Sequence, residues 1–144
     1  MKKLLISFTP IIISLFCSSS YANPDPVQKF YHDGEKLISQ FRSCSLMTNQ
    51  FSLDTFKCIE NSQKNIQNST KALMSKHAPL VAKLKNEGVT FSFGTSQESE
   101  IKRKCAEIYP TPLKNRFKNQ IKSCETQIDL NIYLKTSNDI LTFM

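Results

Sequence analysis

The sequence predicts an all-α fold: a small irregular four-helix bundle with two disulfides and one short extended connection. Three observations lead there. Apolar residues recur at three- and four-residue steps through most of the chain. Helix start and stop signals bracket those runs. Four cysteines behind an export signal stand at spacings that suit bridges rather than a metal.

The export signal comes first. Met1-Lys2-Lys3 is a positive n-region, Leu4 to Phe16 is mostly apolar, and Ser20-Tyr21-Ala22 supplies the small-residue cleavage pattern. Residues 1–22 therefore read as a secretory signal peptide cut after Ala22, leaving residues 23–144 as a single helical domain. A lipid anchor on Cys17 is disfavoured because Phe16 precedes it, where a lipobox wants a small residue. The expected location is the periplasm, or outside the cell.

Cleavage leaves Cys44, Cys58, Cys105 and Cys124. Intervals of 13, 46 and 18 residues contain no Cys-x-x-Cys ligand pair, so two disulfides are expected and no metal site. Cys44 and Cys58 flank the first link and could meet across an antiparallel hairpin, which would leave Cys105 for Cys124. A straight hairpin opposes the second pairing. Cys105 would lie about 5 Å before its helix end and Cys124 about 18 Å into the next helix, beyond the roughly 7 Å between Cα atoms that a bridge tolerates. Either the 109–116 segment is less helical than its pattern, or these cysteines bond to the other pair.

Taken in order, Asp25-Pro26 caps and opens the first helix. Its inner face carries Val27, Phe30, Tyr31, Gly34, Ile38, Phe41 and Ser45, with Gly34 placed to admit a neighbouring helix. Asp54 is the expected cap of the second helix, whose apolar line is Phe56, Ile59, Ile66, Leu73 and Leu80. Between Glu60 and Lys71 only Ile66 is apolar, so the middle is expected to lie largely in water and the 61–65 run to fray or loop. Pro79 should kink or restart the helix, with His77 beside it as a surface or kink residue. Gly88 is a helix stop. Val89, Phe91 and Phe93 alternate with polar residues and read as an extended connection buried against the helices. Thr95 and Glu98 form a capping box for a helix with Ile101, Cys105 and Ile108 inward. Thr111-Pro112 opens the last helix, the clearest amphipathic element, with Leu113, Phe117, Ile121, Cys124, Ile128 and Ile132 inward. The 136–144 tail keeps Ile140, Leu141 and Phe143, enough apolar surface to dock.

Charge is the one functional signal. The mature chain has 17 basic and 12 acidic residues, a net +5, and residues 101–124 alone contribute +6. Lys102, Arg103, Lys104, Lys114, Arg116, Lys118 and Lys122 stand there against Glu107. Such a basic face attracts an acidic protein surface or an anionic envelope component. Nucleic acid is the weakest candidate, because an exported protein rarely meets it and no exposed aromatics are evident for base stacking. Catalytic motifs are absent: the chain has three glycines, two histidines and no nucleophile elbow, zincin helix or phosphate loop. The His32, Asp33 and Glu35 cluster has no partner motif, and no cofactor is expected. The expected function is thus a non-enzymatic exported protein that binds a partner protein through the basic face. In size, export and cysteine count it resembles envelope immunity proteins and inhibitors, although no motif carries a site across. Its positive charge would repel a basic lysozyme, which argues against that inhibitor class. The alternatives are an accessory factor for pilus or secretion assembly and a hydrolase with an unrecognised site.

Overall fold

The computed structural model describes residues 25–144; the expected signal peptide and its cleavage site lie outside them. Among the described residues 78% are helical and none is in a strand. The helices are α1 (Pro26–Ser45), α2 (Leu53–Lys76), α3 (Ala78–Asn86), α4 (Ser96–Glu107) and α5 (Lys118–Phe143), with a 3₁₀ turn at Thr111–Leu113. The expected count of four becomes five because Pro79, at the start of α3, restarts the second helix as a separate element. No helix among the described residues is long and apolar enough to cross a membrane.

α1 begins as its sequence dictates, with Asp25 Oδ1 accepting from the Val27 N–H at 3.1 Å and Pro26 next in line. Gly34 is the close approach: a Cβ there would stand 3.4 Å from Leu134 Cδ2 of α5. α2 is capped by Ser52 rather than Asp54, Ser52 Oγ accepting from the Thr55 N–H at 3.1 Å. Thr55 is buried, and its hydroxyl turns back to donate to the Asn49 carbonyl at 2.7 Å.

The middle of α2 neither frays nor lies in water. Ser62, Gln63, Ile66 and Thr70 are all buried there. What looked like a gap in the apolar stripe is a polar layer matched to α5: Gln63 and Gln67 donate to Asp129 Oδ2 at 2.8 and 2.9 Å. Satisfied in this way, buried amides cost little.

Two apolar clusters fill the interior. Leu37, Phe41, Cys44, Ile59, Ile66, Leu130 and Tyr133 join α1, α2 and α5. Val81, Leu84, Phe91 and Ile140 join α3, the link and the end of α5, with Leu73 packed against both clusters. The 89–93 link has no regular secondary structure, with Phe91 buried and Val89 and Phe93 half-buried, and it follows Gly88 at φ 90°. α5 touches each of the other helices and is therefore the central one. Its buried set includes Asn119, Thr126, Asp129, Thr136 and Ser137, so it has no single amphipathic face, contrary to its sequence pattern. Its last turns pack by way of Ile140.

α4 also turns differently from its pattern. Thr95 Oγ1 caps it, accepting from the Glu98 N–H at 3.2 Å. The inward residues are Glu98, Lys102 and Cys105, while Ile101 is exposed and Ile108 is 67% exposed. Asp129 lies opposite α4 as a buried carboxylate, and Lys102 on the inward face pairs with it; a buried charge needs such a partner.

Both bridges join sequence neighbours. Cys44 and Cys58 are 5.6 Å apart between Cα atoms, and Cys105 and Cys124 are 5.8 Å apart. The second closes because the 109–117 segment is a 3₁₀ turn and bends rather than α-helix, so α5 begins at Lys118, not at Thr111. Cys124 then lies only about 9 Å into its helix. Leu113, freed from any helix face, is exposed.

Candidate functional site

The two bridges close two loops, and the structure sets these side by side at one end of the bundle. The first loop joins α1 to α2 and the second joins α4 to α5. Asn119, in the first turn of α5, ties them by donating from Nδ2 to the Gln50 carbonyl at 2.8 Å and the Ser52 carbonyl at 2.9 Å. Rings complete the junction. Tyr109 stacks on Phe117 with centroids 4.6 Å apart, and Phe51 of the first loop meets Phe117 edge-on at 6.0 Å. The Lys118 ammonium stands 5.4 Å from the centre of the Phe56 ring on α2.

This end carries apolar side chains that no helix face can bury. Leu46 is 84% exposed, and Phe51, Leu53, Ile108 and Leu113 are also exposed. None of them belongs to the seven basic residues read from sequence. Leu46, Phe51 and Leu53 belong to no three- or four-residue repeat in the sequence, whereas Ile108 and Leu113 were expected on inner helix faces and are exposed instead.

The seven basic residues do not form one face. Lys102 is internal, with its side chain 19% exposed, and it pairs with Asp129 Oδ1 at 2.5 Å and Glu98 Oε1 at 2.7 Å. Burial acts to lower its pKa, but hydrogen bonds and charge from Asp129 and Glu98 outweigh burial and leave it raised. Lys102 is a structural cation. Arg103 pairs with Glu107 one turn away, and Lys122 pairs with Glu125 at 2.9 Å, so nearby carboxylates balance both. Lys104, Lys114, Arg116 and Lys118 have no carboxylate partner among the described residues. These four sit at the stapled end, in the last turn of α4, the connecting segment and the start of α5.

Asp129 is 3% exposed and both of its oxygens are engaged, so it is poorly placed to take a proton from a substrate. No group of three or more His, Cys, Asp or Glu that could hold a metal occurs among the described residues. Next to the tip, Asn119 and Gln120 line a recess of 390 Å³, and their Oδ1 and Oε1 atoms are buried without a protein donor. Aromatic rings do accompany the cations here, against the sequence expectation, although Tyr109 already covers one face of Phe117. No protein family, curated protein or solved structure matches this chain.

Proposed function

We propose that this is an exported, non-enzymatic binding protein of the immunity or inhibitor kind that engages an acidic partner protein through its stapled tip. One observation carries the reading: two covalently closed loops, tied to each other by Asn119, present exposed apolar residues among four uncompensated cations. Apolar anchors within a polar rim are the usual anatomy of a protein interface. Loops held by bridges and cross-loop hydrogen bonds lose little conformational freedom on docking, so less of the contact energy goes into ordering them. The uncompensated lysines and arginine steer an acidic surface toward the tip and fix its register. The two disulfides suit an oxidising, extracytoplasmic compartment.

A photo-crosslinking residue placed at Leu46 or Ile108 tests the reading against one placed at Lys85, near the end of α3. The tip positions should trap a single periplasmic protein, and Lys85 should trap none. The triple variant Lys114→Glu, Arg116→Glu, Lys118→Glu should weaken binding of that protein by about tenfold or more, equivalent to ~1.4 kcal/mol, with thermal stability unchanged. Equal trapping at all three positions, or full affinity in the triple variant, would sink the proposal. Binding to anionic vesicles with no trapped protein would reassign the tip to a membrane surface.

A further inference from the structure

Away from the tip, α1 and α2 enclose a second feature, a groove of 710 Å³. That volume falls in the usual range of small-molecule sites, roughly 300–1,000 Å³. Its floor is apolar: Phe30 and Leu37 from α1, Leu73 from α2 and Tyr133 from α5. From Lys29 to Gln40 along α1 it runs about 16 Å at the helical rise, long enough for an extended acyl chain of medium length.

Its rim is cationic. Lys29 and Lys36 line it from α1 and Lys76 from α2, and none of the three is in an ion pair among the described residues. The one carboxylate side chain in the lining is Asp33. Against three lysines, the groove lining keeps an excess of positive side-chain charge. His77 closes one end, its ring 5.8 Å from that of Phe30, and its Nε2 is buried with no hydrogen-bond partner. The groove therefore pairs an apolar floor with unpaired cations at the rim.

We infer that this groove binds a single-chain anionic amphiphile, with the alkyl chain along Phe30, Leu37, Leu73 and Tyr133 and the anionic head group held by the rim lysines. Apolar area on the floor drives burial of the chain, and the unpaired lysines select the sign of the head group. A neutral or cationic amphiphile gains the first contribution and not the second. The inference is independent of the tip, since none of the tip residues lines the groove.

The test uses the oxidised mature chain and displacement of dansyl-undecanoate, with sodium dodecanoate and dodecyltrimethylammonium as competitors below their micelle concentrations. Dodecanoate should displace the probe with one-to-one stoichiometry, and the cationic amphiphile should be at least about tenfold weaker. Lys29→Gln with Lys76→Gln should narrow that preference. Ala72→Trp, at an exposed position in the groove wall, should block probe binding with the helical circular dichroism unchanged. Ser69→Phe is a second blocking variant should the first disturb folding. Charge reversal of Lys114, Arg116 and Lys118 should leave probe binding as it is. Equal affinity for both amphiphiles, undiminished binding in the folded blocked variants, or binding of an acidic amphipathic peptide but not of dodecanoate would overturn the inference.

Discussion

Asp129 joins three helices through single atoms. Its Oδ1 meets Lys102 of α4 at 2.5 Å, and its Oδ2 accepts from Gln63 and Gln67 of α2 at 2.8 and 2.9 Å. Lys102 in turn holds Glu98 at 2.7 Å, and Glu98 also accepts from the Gly94 N–H just before the α4 cap. Removing one member of such a network costs more than the pair is worth, because the remaining charge stays buried and unpaired. Asp129→Ala should therefore destabilise the protein by about 3–5 kcal/mol, read as a lower urea midpoint. The double variant Asp129→Leu, Lys102→Met should recover only part of that loss, because it removes the unpaired charge at this pair but leaves the Gln63 and Gln67 amides and the Glu98 carboxylate without their partners. A double variant no better than Asp129→Ala would show that the layer is needed for folding itself. The pH dependence has a definite sign. Lys102 is raised in the folded state, so its contribution is complete below the ordinary value of 10.5 and is lost as pH rises through the raised value. Lys102→Met should therefore flatten the alkaline limb of the unfolding profile.

At the scale of elements, Gly34 is a case where helix propensity and packing can be weighed. Glycine inside a helix costs up to about 1 kcal/mol relative to alanine. An added Cβ would meet Leu134 Cδ2 at 3.4 Å and Tyr133 Cε1 at 3.9 Å, ordinary contact with side chains, one of them a flexible tip. Gly34→Ala should therefore raise stability by several tenths of a kcal/mol or more, whereas Gly34→Leu should lower it by pushing α1 off α5. Calorimetric melting of the two variants separates these outcomes. The same weighing explains what the sequence made legible. The start of α1, the restart at Pro79, the Gly88 stop and the Thr95 cap all follow from local backbone chemistry, and all can be read without tertiary knowledge. The failures have a common cause. Gln63 and Lys102 look like surface residues until Asp129 is placed opposite them, and a carboxylate on another helix leaves no trace in local periodicity. The late start of α5 was hidden as well: Thr111-Pro112 is a good opening for a helix, but the Cys105–Cys124 bridge is met by a 3₁₀ turn there instead. The site was legible in half. Lys104, Lys114, Arg116 and Lys118 are legible by charge, while their apolar neighbours Leu46 and Phe51 lie outside any pattern and Ile108 follows a helical repeat that the structure leaves exposed.

Across the whole molecule, covalent constraint and packing are unevenly shared. Both bridges lie at the tip, while α3 and the 89–93 link at the other end are held by the Val81, Leu84, Phe91 and Ile140 cluster. Closing loops with sequence separations of 14 and 19 residues should each contribute about 3 kcal/mol by restricting the unfolded chain. Together that is comparable with the whole stability of a small domain, about 5–15 kcal/mol. Reduction with dithiothreitol should therefore lower the urea midpoint sharply, and a loss smaller than about 2 kcal/mol would show that packing alone holds the tip. Local openings should follow the same asymmetry, since regions with few buried contacts open below the global free energy. In the oxidised protein, amides of α3 and the link should exchange by the lowest-energy opening, and those of α2 near Cys58 and Ile59 by the highest. Reduction should bring the two ends closer together by removing protection chiefly from the tip. Faster exchange at the tip than at α3 while both bridges are intact would contradict this picture, and with it the view of the tip as a surface organised before its partner arrives.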